Sequence, residues 1–415
     1  MSRKLLLCTS LVIVLVCMLG FSTEVQQAKA QVTFYIRADG SIDPPTAPIS
    51  TFDSLTYTFT GNIFNPIVIE RDNITIDGSG HILQGPGPGP YYAMNLTERY
   101  NVTVKKTIIE NFGMGIYVVD SSKITILQNI VRNNAATGVY IYRSSNCNVI
   151  DNKLINDGRG LGVYLFSGYN TISGNLVKDN SERGMYLNAR SNLYYGNNFI
   201  NNTVHVLYTT IYSEDFWDNG VEGNYWDNYT GHDLDSDGIG DSSHRIDVNN
   251  RDFHPLMGMF SGFQATQEHR IETVSNSTLS DFKFNSTALS YNVTGAHATA
   301  GFCRVKIPAA LMNITYRVFV NSTEILPPPE PLPCSTSTHN YLYFTYNHST
   351  QEVIIIPEFS SLIIISLFMI VSILVITIHK VTKRSTQHFE KTTIHTKCLT
   401  NAGKCACALF QDQTK

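Results

Sequence analysis

The chain has 415 residues, of which 15% are charged and 43% hydrophobic. That length supports two or three domains with their own cores, and the composition excludes both a charge-driven disordered chain and a multi-span membrane protein. The formal net charge of -4 is uneven: residues 379–415 carry +5 and residues 1–30 carry +2, leaving -11 on the body, which repels phosphate backbones and argues against nucleic acid as a partner.

At the N-terminus, Arg3 and Lys4 precede an apolar run from Leu5 to Phe21, and Ala28-Lys29-Ala30 supplies the small residues of a cleavage site. Residues 1–30 therefore read as a signal peptide cleaved after Ala30. Residues 31–70 are expected to cap a solenoid. Eleven Asn-x-Ser/Thr sequons follow, at Asn73, Asn95, Asn101, Asn201, Asn228, Asn276, Asn285, Asn292, Asn313, Asn321 and Asn347, all before the C-terminal apolar stretch and in keeping with a glycosylated exterior body.

Residues 71–222 repeat. Val104, Ile126, Val149, Ile172 and Tyr195 recur at steps of 22 or 23, each followed three positions on by Thr107, Asn129, Asn152, Asn175 and Asn198. A second phrase, Gly-x-Tyr, recurs at Gly115–Tyr117, Gly138–Tyr140, Gly162–Tyr164 and Gly184–Tyr186. The apolar stretches are three to five residues long, β-branched or aromatic, and broken by Gly and Asn, so the period predicts stacked β-strands and not helices. About six coils are expected, each about 4.8 Å above the last. Of 35 asparagines, 18 fall in residues 101–202. Asn129, Asn152, Asn175 and Asn198 are expected to form a ladder whose amides satisfy the buried turns. Tyr117, Tyr140, Tyr164 and Tyr186 form a second column, read either as a sugar-stacking platform or as part of the packed stack.

The phrases Tyr35-Ile-Arg-Ala-Asp-Gly40, Val68-Ile-Glu-Arg-Asp-Asn-Ile-Thr-Ile-Asp-Gly78 and Gly223-Asn-Tyr-Trp-Asp-Asn-Tyr-Thr-Gly231 resemble archaeal surface proteins of the NosD-like family, over residues 32–255. The resemblance implies an all-β fold, a right-handed parallel β-helix of the pectin-lyase type. The family takes its name from a periplasmic copper-handling accessory of nitrous oxide reductase, a role that does not travel automatically with a fold.

Residues 223–255 read as a C-terminal cap with an acidic loop. Asp233, Asp235, Asp237 and Asp241 occupy positions 1, 3, 5 and 9, Gly238 stands at position 6, and the Ile239 carbonyl supplies position 7. Hard oxygen ligands at that spacing point to structural calcium. Position 12 is His244 where an EF-hand has Glu. Copper is the rival ion, with His232, His244, His254, Met257 and Met259 as imidazole and thioether donors. Polysaccharide cleavage would need carboxylates on neighbouring coils. Asp151, Asp157, Arg159, Asp179, Glu182 and Arg183 qualify by position, but they fall mostly in turns, and no residue is assigned to catalysis.

Residues 256–356, with short alternating strands and sequons, are expected to form a β-sandwich stalk. Cys303 and Cys334 could staple it, leaving Cys147 as a small buried residue. Pro357-Glu-Phe359 precedes twenty uncharged residues, Phe359 to Ile378, followed by Lys380, Lys383 and Arg384. That length crosses about 30 Å of hydrocarbon, with the basic tail, residues 379–415, in the cytoplasm. Residues 357–378 resemble the PEF-CTERM signal processed by archaeosortases, although the tail is longer than such signals carry. The expected whole is a membrane-anchored surface protein that binds extracellular glycan or envelope proteins; a copper-binding accessory protein and a polysaccharide lyase or hydrolase are the alternatives.

Overall fold

The computed structural model describes residues 32–209, 214–312, 315–357 and 369–380. The signal peptide, Asn313, most of the PEF motif, the first half of the expected span and the basic tail lie outside the described residues.

Most solenoid strands are three to six residues long, and they pair in parallel with their counterparts one turn on. Tyr92–Thr97, Met114–Val119, Thr137–Tyr142, Arg159–Tyr164 and Arg183–Leu187 run in order through a nine-stranded sheet, and two further sheets of eight and seven strands complete the walls. The result is an all-β parallel β-solenoid of about seven turns. It starts earlier than the repeat suggests: Phe34–Ile36 already pairs in parallel with Ile67–Ile69, while the antiparallel strands Ile42–Asp43 and Ile49–Thr51 close the N-terminal end.

The interior follows from register. Met94, Ile116, Val139, Leu161 and Met185 stack in one inward column, and Val104, Ile126, Val149, Ile172 and Tyr194 stack in another, all at most 1% exposed. Each three-residue strand alternates in and out, as Ile67-Val68-Ile69 does, because successive side chains of a strand point to opposite faces.

The turns bury backbone N–H groups that have no strand partner, and asparagines satisfy them. The Asn152 backbone N–H and Nδ2 both donate to Asn175 Oδ1, at 2.9 and 3.1 Å, while the same Nδ2 donates back to the Ile126 carbonyl at 2.8 Å. Asn129 makes the same contacts to Asn152, and Asn175 to Asn197. The ladder thus passes through Asn197 and continues to Asn224, and Asn198 is not a rung. The reason is a step of 22 at this point: Ile172 pairs with Tyr194, not Tyr195, which makes Phe199 the inward residue. Asn198 instead clasps the stalk, donating to the Phe260 carbonyl at 2.9 Å and accepting from its N–H at 2.7 Å.

A similar slip affects the Gly-x-Tyr phrase. Thr137, Arg159 and Arg183 are in register, so the glycine column is Gly115, Gly138, Gly160, Gly184, and Gly162 stands where its neighbours have Tyr140 and Tyr186. The Tyr164 ring folds back over Gly162, where a Cβ would lie 2.3 Å from Tyr164 Cε2.

The stalk is a sandwich of two antiparallel sheets of four and five strands around Leu289, Tyr291, Val305, Ile307, Leu342 and Val353. The expected Cys303–Cys334 bridge is not made: Cys147, Cys303 and Cys334 are free. Adjacent residues of a strand face opposite ways, so Cys303 points into the sandwich core beside Ser275 and Tyr346, while Arg304 points to the solenoid with Cys334 Sγ 3.3 Å from its Nη2. Residues 369–380 are helical; among the described residues no helix is long and apolar enough to cross a membrane.

Replacing a rung should differ from replacing its neighbour. Asn197→Ala leaves the buried Asn175 backbone N–H without its acceptor, while Asn175 Nδ2 keeps the Val149 and Ser173 carbonyls, and is expected to cost about 1–3 kcal/mol by urea unfolding, with faster hydrogen exchange at the Asn175 N–H. Asn198→Ala should instead speed exchange at the Phe260 N–H; the same pattern in both variants would contradict the register.

Candidate functional site

The C-terminal end of the solenoid is closed by an aromatic plug. Trp217 stacks on Tyr194 with centroids 4.4 Å apart, Trp226 stacks on Phe199 at 4.2 Å, and His244 covers the cap side of Trp226 at 4.5 Å. Both tryptophans are at most 2% exposed, and their indole N–H groups find buried partners: Trp217 Nε1 donates to Tyr208 OH at 3.1 Å and Trp226 Nε1 to Asp252 Oδ2 at 2.9 Å. Asp252 Oδ2 also accepts from the Asn224 N–H at 2.7 Å, so the asparagine ladder ends on a carboxylate. Burial pushes the Asp252 carboxyl up to about 6.

Beside the plug lies the acidic loop. Asp233, Asp235 and Asp237 bring carboxylate oxygens within 4.8 Å of one another, and among the described residues they are the one group of three His, Cys, Asp or Glu so arranged. Backbone bonds shape the loop: Asp233 accepts from the Asp237 and Gly238 N–H groups at 3.0 and 2.9 Å, and Asp237 Oδ1 accepts from the Ile239 N–H at 2.8 Å. Gly238, at φ 86°, makes the reversal that a side chain would strain. Asp241 accepts from the Leu234 N–H at 2.7 Å and stands outside the group of three. Partial burial, then the charges of Asp237 and the other loop carboxylates, hold the Asp235 carboxyl above its ordinary range. Ile239 packs with Leu256, Phe260, Val274 and Phe302.

Sequence reasoning missed what anchors this loop. Arg304, 1% exposed in the stalk, donates through Nη1 to the Asp237 carbonyl at 2.7 Å and through Nε to Glu222 Oε1 at 3.1 Å. The partners lie 67 and 82 residues away in sequence, and no local pattern announces them. A cleft of about 520 Å³ opens on the other flank of the plug, lined by His205, Asp227, His244 and Arg245 among others, with His205 Nε2 2.8 Å from Asp227 Oδ1.

The remaining candidates disperse. His244 is a plug residue whose burial pushes its imidazole down to about 4, His254 lies 3.1 Å from Asp218 Oδ1, and Met259 is exposed; among the described residues His232, His244 and His254 belong to no group of three His, Cys, Asp or Glu able to share an ion. Apart from Asp157, the coil carboxylates and arginines are paired. Asp151 receives Arg270 of the stalk, Glu182 receives Arg159 at 2.8 Å and Arg183 at 3.5 Å, and Asp179 receives Asn201 Nδ2. Tyr117 stacks on Tyr140 with centroids 5.1 Å apart, and the Tyr164 ring leans on Tyr140 at 4.6 Å with a tilt of 32°, so the rings of the column cover one another. Of the sequon asparagines, Asn73, Asn101, Asn201, Asn228, Asn276, Asn285, Asn321 and Asn347 are exposed, and Asn95 and Asn292 are half-buried.

Residues 51–231, the greater part of the solenoid, are similar to the family model described as periplasmic copper-binding protein (NosD). Among solved structures, the Dettilon tailspike protein (gp208) is similar at 12% identity and a TM-score of 0.26, with 70% of this chain covered, and the chain spans 64% of the length of that protein. No curated protein matches the chain.

Asp157 occupies a rung of a second ladder, Asn134–Asp157–Asn180–Asn202, and is 1% exposed. Its Oδ1 accepts from the Asn134 N–H and Nδ2, while its Oδ2 has no partner. By register that oxygen stands where Asn180 Nδ2 donates to the Leu154 carbonyl one coil on, so it faces the Val131 carbonyl. Burial pushes the Asp157 carboxyl up to about 8. A raised acid favours the protonated fold: its contribution is complete below the ordinary carboxylate range and is lost as pH climbs through about 8. Asp157→Asn supplies the missing donor, and it should add about 1–3 kcal/mol at pH 8 and nothing measurable near pH 4, read from urea midpoints across pH.

Proposed function

We propose that this is a secreted, membrane-anchored surface protein: a right-handed β-helix, closed by a calcium-tied cap and raised on its sandwich stalk, that binds glycan or envelope partners without catalysis. The observation that carries the calcium assignment is the convergence of the Asp233, Asp235 and Asp237 carboxylates on one point, with two of them oriented by backbone N–H groups of the loop itself. Calcium accepts several oxygen ligands in flexible geometry, and neutralising three adjacent carboxylates removes their mutual repulsion. Anchoring is supported by the helical residues 369–380, whose Met369, Ile370, Leu374 and Ile378 are more than half exposed, as side chains facing lipid would be. Cleavage of polysaccharide gains no support, because Asp151, Asp179 and Glu182 have structural partners and Asp157 is buried inside its ladder, away from any substrate.

A copper-handling role is the second reading, favoured by the family description that residues 51–231 match. Against it stands the dispersal of the histidines, none of which joins a group of three possible ligands among the described residues, since copper selects converging imidazole and thioether ligands.

Calcium at about a hundred times its dissociation constant should stabilise the protein by about 2.7 kcal/mol, seen as a rise in melting temperature of a few degrees. Asp235→Asn, an exposed position, should abolish that rise while leaving the calcium-free melting temperature nearly unchanged. Tight Cu(I) or Cu(II) binding that Asp235→Asn does not alter, with no calcium response, would replace this reading by the copper one.

A further inference from the structure

One corner of the solenoid follows a fixed template. In four successive coils two residues at positive φ bracket a pair between them: Glu98 and Asn101 at 57° and 53°, Asp120 and Lys123 at 52° and 56°, Arg143 and Asn146 at 47° and 56°, Phe166 and Tyr169 at 60° and 58°. The residues between are locked in register, the Ser121 N–H donating to Ser144 Oγ at 3.0 Å and the Ser144 N–H to Ser167 Oγ at 3.2 Å. The bracketing positions therefore make two outward columns, polar or charged in three coils and aromatic in the fourth.

Nothing in the fold calls for aromatics there. Phe166 is 84% exposed and Tyr169 73%, so neither contributes core, and a bulky side chain at positive φ is disfavoured where Asn or Asp is tolerated. Unlike the tyrosine column, whose rings cover one another, these two rings are mostly open to solvent. Arg190 lies one coil on, its carbonyl 3.0 Å from where a Cβ on Gly168 would stand, and its exposed guanidinium has no ion pair among the described residues. The body's net charge of -11 repels polyanions in general, so an acidic, ring-built chain can be held only where a local unpaired cation stands beside displayed aromatic rings, as Arg190 does one coil from Phe166 and Tyr169.

We propose that Phe166 and Tyr169 form an aromatic clamp for an acidic polysaccharide, the C–H faces of its pyranose rings lying on the aromatic faces and Arg190 meeting its carboxylates. The proposal rests on the glycan-binding reading above and gives that reading a place. The test measures binding of the whole protein to immobilised polygalacturonate and to dextran. Phe166→Asn/Tyr169→Ser keeps residues that suit this backbone, since Asn146 and Ser191 already occupy such positions at φ 56° and 62°. It is expected to leave the melting temperature unchanged and to weaken polygalacturonate binding at least tenfold. Arg190→Gln should weaken polygalacturonate about threefold and leave dextran unaffected. Equal polygalacturonate binding by the wild type and the double variant overturns the clamp while leaving glycan binding intact, and equal wild-type affinity for dextran overturns the acidic preference. A wild type that binds neither polymer overturns the clamp and the glycan reading together, and if that wild type self-associates where the double variant does not, the patch belongs to a second copy.

Discussion

The structure depends on one obligation: a chain that turns three times per coil buries backbone N–H groups at each corner, and each must meet an acceptor. Asparagine meets it because one side chain both accepts from the coil below and donates to a carbonyl there, and because each rung presents the same oxygen to the rung before it. Asn129, Asn152, Asn175, Asn197 and Asn224 do this at one corner, Asn134, Asn180 and Asn202 at another, and Asn170 with Asn192 at a third. Serines 121, 144 and 167 serve that same third corner with hydroxyls. Apolar columns supply the driving force for stacking, but the ladders set how far each coil is displaced on the next, since a slip would strand several buried donors at once.

A ladder must stop somewhere, and its last member needs only to accept. Two ladders run into aspartates near the C-terminal end, Asn224 into Asp252 and Asn192 into Asp215, and burial raises both carboxyls to about 6. Each also binds a plug aromatic, Asp252 taking Trp226 and Asp215 taking Tyr208; Asp252 ends its ladder, while the Asp215 N–H passes on to Asn250 Oδ1 at 3.0 Å. The end of the hydrogen-bond chain and the end of the apolar core are closed by the same residues. A solenoid exposes its ends unless something covers them, and here the cover is built from both kinds of closure.

Much of this was legible because it is periodic. The inward columns and three of the first ladder's rungs follow from the 22- and 23-residue steps alone. At the last coil the ladder and its inward column failed by one position and for one physical reason: a strand has period two, so an error of one residue exchanges inside for outside. The pairs Tyr194-Tyr195 and Asn197-Asn198 offer the same residue type in both registers, so composition could not choose between them; the Gly160/Gly162 slip is one of two residues, which keeps the face and moves only the column. The choice is made by contacts the repeat does not contain, the plug stacking on Tyr194 and the stalk reaching Asn198. Arg304 was out of reach for a different reason. Its partners Glu222 and Asp237 belong to another domain, and only docking brings the three together. Alternation likewise argues against pairing Cys303 with Cys334 once the residue next to Cys303 is known to face the solenoid.

The acidic loop shows how far pre-organisation goes before any ion is involved. Asp233 uses both oxygens on backbone N–H groups, and Asp237 uses one on Ile239 and turns the other to Arg304 at 3.3 Å, so two of three carboxylates are held by the fold. Each such oxygen keeps a second lone pair, and Asp235 keeps its carboxylate largely free. The arrangement concentrates negative charge where repulsion opposes it, and the buried Arg304 offsets part of that repulsion from below, at the cost of desolvating its own charge beside Glu222. Because Asp237 belongs both to the loop and to the contact with the stalk, whatever changes the charge or rigidity of the loop also changes how firmly the stalk is held, and the coupling must be equal in both directions. The loop is therefore placed to act on the seam between the two domains, and that placement, more than the spacing of its aspartates, distinguishes it from an ordinary solvated acidic turn.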